Sequence, residues 1–220
     1  MGNLAQRKQE IEDRIRLAQQ RGGFTHPVTL IAVTKYQQTS LANEAIRCGI
    51  TDIGENHVQE ILRKSKDGLL PCRKHFIGHL QTNKVRALLS VGDLALIQSV
   101  DSERLLLEIN KNAKMPVDIL IQVNIAGEEQ KFGAPLSEAL SLVRTAASCE
   151  NIRVKGYMAI MPICTKNDYY RGMYDLYRET EAARIPGVEM RWLSMGMSGD
   201  FELAVQNGAN MVRIGSYLFA

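Results

Sequence analysis

Short apolar runs alternate with amphipathic stretches along nearly the whole chain. The runs are VTLIAV (28–33), TDIG (51–54), HFIG (75–78), LALIQSV (94–100), VDILIQVNI (117–125), IRVKGYMAI (152–160), MRWLSM (190–195) and MVRIG (211–215). Each is too short for a helix and rich in the residues that fit a pleated, buried surface, so each predicts a strand. Between them, apolar residues recur every three or four positions, which predicts helices over 41–48, 58–65, 83–89, 103–110, 136–147, 169–183 and 200–207. Upstream of the first run, Leu4, Ile11, Ile15 and Ala18 recur at helical spacing among charges. They predict one more helix, ending at Gly22–Gly23.

Strict alternation of strand and helix implies a parallel sheet covered by helices. Eight strands, the first five beginning at intervals of roughly twenty residues, suggest closure into a (β/α)8 barrel of the TIM type, preceded by an extra N-terminal helix. The competing architecture is an open doubly wound sheet. No G-x-G-x-x-G follows the first strand, so that alternative lacks its dinucleotide fingerprint. One barrel accounts for residues 1–220 as a single domain and leaves no room for a second. The segment MPICTKND (161–168) carries no element signal and reads as a variable, mobile loop.

Composition narrows the class. The 27 basic and 24 acidic residues leave a formal charge of only +3, and no basic tract interleaved with aromatics marks a nucleic-acid surface. Cys48, Cys72, Cys149 and Cys164 form no C-x-x-C pair, and no histidine cluster has zinc-ligand spacing, so a metal site is not expected. The polar start MGNLAQRKQEIEDRIR is unlike a secretory signal, and Gln6 is wrong for a myristoylation site at Gly2. No apolar stretch approaches the ~20 residues that cross a bilayer. A soluble cytoplasmic protein is expected.

In a barrel the chemistry gathers at the C-terminal strand ends. Two exits draw attention first. After the seventh strand, LSMGMSGDFELAV combines Gly and Ser ahead of a helix, with Ser198 placed to cap it. After the eighth come Gly215 and Ser216. Unpaired N–H groups and hydroxyls in these two loops make a phosphate site, or else ordinary glycine turns and a cap. The first strand ends in Thr34–Lys35, and barrel closure sets that end beside the eighth strand. A lysine amine facing a phosphate suggests a Schiff base with a phosphorylated aldehyde, either pyridoxal 5′-phosphate or a sugar phosphate. Otherwise Lys35 is a strand terminus surfacing into water.

Arg213 sits inside MVRIG, on one face of its strand. Pointing inward it needs an acceptor. A pyridine nitrogen would serve, kept unprotonated by a permanently charged donor, and the ring would then be a weak electron sink. The alternative acceptor is a core carboxylate such as Glu55. His26 and His75 read as structural or surface residues and His57 as exposed. His79 either lines the barrel mouth or is a satisfied polar core residue, the second being favoured. The methionines 158, 161, 173, 190, 195, 197 and 211 read as core filling.

The strings IAVTK (31–35), IGENHVQE (53–60), HFIGHLQTNK (75–84), QVNIAGEEQKFG (122–133), GYMAIMP (156–162) and LSMGMSGDFELAVQNGANMVRIG (193–215) together resemble the pyridoxal phosphate homeostasis proteins, single-domain relatives of the alanine racemase barrel domain. The resemblance implies a type III pyridoxal-phosphate barrel. It assigns Lys35 as the imine lysine, Ser198, Gly215 and Ser216 as phosphate-holding positions, and Arg213 as the residue facing the pyridine nitrogen. It also sets Asn56 and His79 in site-lining motifs. It implies no catalytic residue, a role in vitamin B6 and amino-acid homeostasis, a monomer, and apo-enzymes as possible recipients of the cofactor. Ser216 stands where Thr is common in the family and keeps the hydroxyl.

Two enzymatic alternatives remain at this level. Alanine racemase takes its second base, a tyrosine, from a second domain for which this chain has no length, although Tyr36 or Tyr157 could substitute. A Schiff-base aldolase needs a further acid or base deep in the barrel, and none is evident.

Overall fold

A computed structural model describes residues 2–162 and 167–220. Residues 163–166, within the loop expected to be mobile, lie outside it. Among the described residues, nine parallel strands run in the order β4-β3-β2-β1-β9-β8-β7-β5-β6, and a β4–β5 pairing closes the sheet on itself. The strands are β1 (Thr29–Val33), β2 (Asp52–Glu55), β3 (Arg73–Phe76), β4 (Leu94–Val100), β5 (Val117–Asn124), β6 (Ala134–Pro135), β7 (Ile152–Ala159), β8 (Val188–Ser194) and β9 (Met211–Ile214). Eight of them make the expected barrel. The ninth, β6, is a two-residue addition against the end of β5.

The first and last strands of the chain, β1 and β9, lie side by side in the closed sheet, with Ile31 opposite Arg213 and Ala32 opposite Ile214. Parallel pairing carries one side-chain face around the barrel, so the inward set can be followed strand by strand: Ile31, Asp52, His75, Leu96, Met158, Ser194 and Met211. Ile31, Leu96, Leu120, Met158 and Met211 fill the interior together with Trp192. Outside the barrel the helices α2 (Thr39–Arg47), α3 (Val58–Lys66), α4 (Val85–Leu88, entered through a 3-10 turn), α5 (Glu103–Asn112), α6 (Leu136–Ala147), α7 (Asn167–Ala182) and α8 (Phe201–Gln206) bury their apolar stripes against the opposite strand faces. The first helix, α1 (Gly2–Gly22), lays Leu4, Ile11, Ile15 and Ala18 against Phe201, Val205 and Leu218, covering the β1–β9 seam.

The main departure from the expected elements is β3, which begins two residues early at Arg73–Lys74. Two charges in a row read as loop, yet both find partners that let the strand start there. Arg73 Nη2 donates to Asp52 at 2.7 Å, and Lys74 Nζ donates to the Gly92 carbonyl at 2.8 Å. No helix among the described residues is long and apolar enough to cross a membrane.

Candidate cofactor site

The expected site residues leave five neighbouring strands, β3, β2, β1, β9 and β8, at one rim of the barrel. Lys35 lies two residues past β1, exposed, at the corner of a turn closed by Gln37 N–H donating to Thr34 O at 3.0 Å. Its Nζ stands 5.9 Å from the centre of the Tyr36 ring. Tyr36 holds φ +65°, an uncommon conformation for a bulky residue, so the turn that presents Lys35 carries backbone strain. Beneath it lies a fully buried cluster. Glu55, at the end of β2, accepts from Thr34 Oγ1 at 2.6 Å and from Lys64 of α3, whose Nζ also donates to the Thr34 carbonyl at 2.5 Å. The peptide leading into Lys35 is thus anchored by a buried ammonium that sequence reading missed. Nothing in the pattern of α3 separates Lys64 from its solvated neighbours Arg63 and Lys66.

Ser198 does not cap α8. The cap residue is Asp200, whose carboxylate accepts from Met197 N–H and from the Tyr170 hydroxyl, both at 2.6 Å. The chain needs two more residues to turn from β8 into the helix. It turns at Gly196, where φ is +97° and a Cβ would stand 2.7 Å from that of Ala204. Ser198 is released to the neighbouring loop, and its Oγ accepts from both Gly215 N–H and Tyr217 N–H at 3.3 Å. Two backbone donors and a hydroxyl therefore converge at the ends of β8 and β9. Ser216 lies exposed between them.

Arg213 points into the barrel and is buried. It makes no ion pair with Glu55, which Lys64 already occupies. Its Nη1 donates to Ser194 Oγ at 2.6 Å and its Nη2 to the Ala159 carbonyl at 2.9 Å. Burial pushes the guanidinium down to about 10 against the opposing charge of Asp200, so it remains a cation at neutral pH. A buried cation bonded, among the described residues, only to neutral acceptors keeps donor capacity for a ligand.

Asn56 follows β2, its Oδ1 buried and without a hydrogen-bond partner among the described residues. It lines a cavity of about 350 Å³ with Phe76, His79 and Lys84. His79 is at the mouth and not in the core. It is exposed, stacked on Phe132 at 3.7 Å between ring centres, with Asp101 3.8 Å away. The satisfied core place favoured from the sequence does not hold, because β3 ends at Phe76 and the chain has left the barrel wall by His79. Tyr157, a possible stand-in base, is buried with its hydroxyl 2.8 Å from Thr180 on α7, and burial raises it to about 12. It faces the helical shell and away from the rim. The described methionines 158, 161, 173, 195 and 211 are core, while Met197 is exposed. No group of three or more potential metal-ligating side chains occurs among the described residues.

This barrel, with a rim lysine, a buried arginine and a cradle of backbone donors, matches the family "Alanine racemase, N-terminal domain" over residues 7–220. Within that class, the chain is 38% identical over 226 residues to the pyridoxal phosphate homeostasis protein of Aquifex aeolicus (strain VF5), covering 99% of this chain and 97% of that one. It is 34% identical over 232 residues to the protein of the same name from Escherichia coli (strain K12), covering 100% and 97%. Among solved structures, PipY of Synechococcus elongatus with pyridoxal phosphate bound superimposes with a TM-score of 0.84 at 26% identity, over 99% of this chain and 100% of that one. The chain belongs to the pyridoxal phosphate homeostasis protein family.

Proposed function

We propose that this protein binds pyridoxal 5′-phosphate at the C-terminal rim, linked through the Lys35 amine, and serves intracellular vitamin B6 and amino-acid homeostasis without turnover of its own. The observation that carries the reading is Arg213, a buried cation without a carboxylate partner among the described residues, set on the strand that leads directly into the Gly215 donors. A flat heteroaromatic acceptor joined to a phosphate satisfies both ends of that arrangement. The residues fit the group in three further respects. Ser198 Oγ and the N–H groups of Gly215 and Tyr217 already converge on one locus. A Cβ at Gly215 would come within 3.2 Å of the Val33 side chain and carbonyl, so the loop is kept bare and close to β1. Asn56 offers an acceptor that no described residue satisfies, at the exit of the strand next to the one that leads to Lys35.

When bound, pyridoxal phosphate supplies an aldehyde that condenses with amines and a ring that withdraws electrons from them. Lys35 holds the aldehyde end, Ser198, Gly215 and Ser216 hold the phosphate, and Arg213 faces the ring nitrogen. Arg213 remains protonated and leaves that nitrogen without a proton, which blunts the ring as an electron sink. Retention is therefore favoured over turnover. Asn56 and His79 border the site. The chain works as one domain, as a monomer in the cytoplasm, and passes the cofactor to apo-enzymes. The alternative is weak amino-acid racemisation with Tyr36, beside Lys35, as second base.

The test is absorbance of the purified chain titrated with pyridoxal phosphate, then borohydride fixation and peptide mapping. A visible band and fixation at Lys35, both lost in a folded Lys35→Ala variant, are expected. No band, or fixation at another lysine, refutes the reading. Racemisation of D-alanine at an enzymatic rate by the loaded protein replaces it with the alternative.

A further inference from the structure

A single file of hydrogen bonds crosses the barrel interior from Arg213 to the opposite end. Arg213 Nη1 donates to Ser194 Oγ at 2.6 Å, and Ser194 Oγ donates to Gln98 Oε1 at 2.7 Å. Gln98 Nε2 meets His75 Nδ1 at 3.1 Å, and His75 Nε2 meets Asp52 Oδ1 at 2.8 Å. Five strands contribute one residue each, and all five side chains are buried.

Every hydrogen in this file has a forced direction. The guanidinium can only donate, so Ser194 receives it and must spend its own hydrogen on Gln98. The amide orientation is fixed independently, because the other Gln98 N–H reaches Met211 Sδ at 3.3 Å, where an oxygen would find no donor. Gln98 therefore donates to His75 Nδ1, which must be bare, and His75 carries its hydrogen on Nε2 toward Asp52. Asp52 is the terminal acceptor. Burial alone would raise its carboxyl, but hydrogen bonds from His75, Arg73 and Thr51 outweigh that and hold it at about 2. Around this end a floor cavity of about 200 Å³ sets Arg73, Asp118, Arg191 and Trp192 near His75. Asp118 is itself paired with Arg153 of β7. The charges facing the histidine are thus Asp52 from β2, Arg73 from β3, Asp118 from β5 and Arg191 from β8.

We propose that Asp52, His75 and Gln98 are positioning residues for the cofactor site: a one-way relay that locks the Ser194 hydroxyl as an acceptor toward Arg213 and so fixes how Arg213 meets the ring nitrogen. The inference rests on the proposed function for its purpose, but the relay has a signature that needs no cofactor. Neutral His75 is the Nε2–H tautomer with an unprotonated Nδ1. Replacing Gln98 by leucine removes the link. Replacing it by glutamate keeps the shape and, as a carboxylate, supplies only acceptors, so His75 must then carry hydrogen on both nitrogens.

The experiment is a long-range 1H–15N spectrum of the labelled chain without cofactor, with the His75 signals assigned from a His75→Asn variant, followed by cofactor titration. Expected are the Nε2–H tautomer in the wild type and a doubly protonated His75 in Gln98→Glu at neutral pH. Gln98→Leu should show a cofactor dissociation constant raised about tenfold, the scale of one misplaced hydrogen bond, with a displaced visible band. A hydrogen on Nδ1 in the wild type overturns the relay, and this holds even if both variants fail to fold. Wild-type tautomer as expected but unchanged affinity and band in folded Gln98→Leu overturns its role at the site. If the wild type binds no cofactor, the functional reading and the role drawn from it fail together, and the tautomer still judges the hydrogen-bond order alone.

Discussion

Lys64→Met isolates the anchor beneath the lysine turn. Both side chains of the Lys64–Glu55 pair have 0% exposure. Removing the ammonium leaves Glu55 with one hydroxyl, from Thr34, and with its Oε2 already without a partner. A buried charge stripped of its counter-ion costs about 3–5 kcal/mol. For a chain of this size each kcal/mol shifts the melting temperature by roughly 2–4 °C, so a fall on the order of 6–20 °C is expected. The assay is denaturant unfolding followed by circular dichroism, with Glu55→Leu and the double variant completing a cycle. The double variant replaces the pair with apolar groups of similar bulk and should recover most of the loss, because the penalty belongs to the orphaned charge and not to the missing contact. Thr34 O also loses a donor, so capture of cofactor by Lys35 should slow in Lys64→Met. A single-variant cost under about 1 kcal/mol, or strictly additive losses across the cycle, would refute the reasoning.

Two other expectations concern the ends of the barrel. Ser198→Ala should weaken cofactor retention by about 1–3 kcal/mol, measured by equilibrium dialysis, since it removes a hydroxyl placed between two backbone donors; unchanged retention would locate the phosphate elsewhere. Asp52 has a folded-state value of about 2 against an ordinary 3.8. Its stabilising contribution is therefore complete above about pH 4 and disappears as pH falls toward 2, so Asp52→Asn should flatten the acid limb of the stability curve. Parallel limbs for the two proteins would show that other carboxylates govern acid unfolding.

Much of the barrel could be read from residue pattern because its strands are buried on both faces. The runs 94–100 and 136–147 coincide with β4 and α6 as observed. Errors fell where tertiary partners overrode local character, as at Arg73–Lys74, or where an element is too short to leave a period, as with β6. The strand-exit rule picked out Lys35, Ser198, Gly215 and Ser216, the resemblance added Asn56, and the structure sets their parent strands side by side. It could not foresee that Ser198 bridges to the next loop instead of capping its own helix, since that depends on where the chain turns at Gly196. His75 and Gln98 were invisible as a pair. They lie on different strands, and only the β3–β4 register, with His75 opposite Leu96, brings Gln98 within reach. Lys64 shows the same limit, its burial being a property of the Thr34–Glu55 contact and not of α3.

The seam between β1 and β9 has a kinetic meaning. Lys35 follows one of these strands and Arg213 lies within the other, and their pairing is the most distant in sequence of any in the sheet. Contacts of such long range form late, after the loop entropy of nearly the entire chain has been surrendered. A nascent or half-folded barrel can therefore present the lysine without the arginine and the phosphate loops. A ligand that needs Lys35, Arg213 and the phosphate loops together would bind only the closed ring and would stabilise it against reopening.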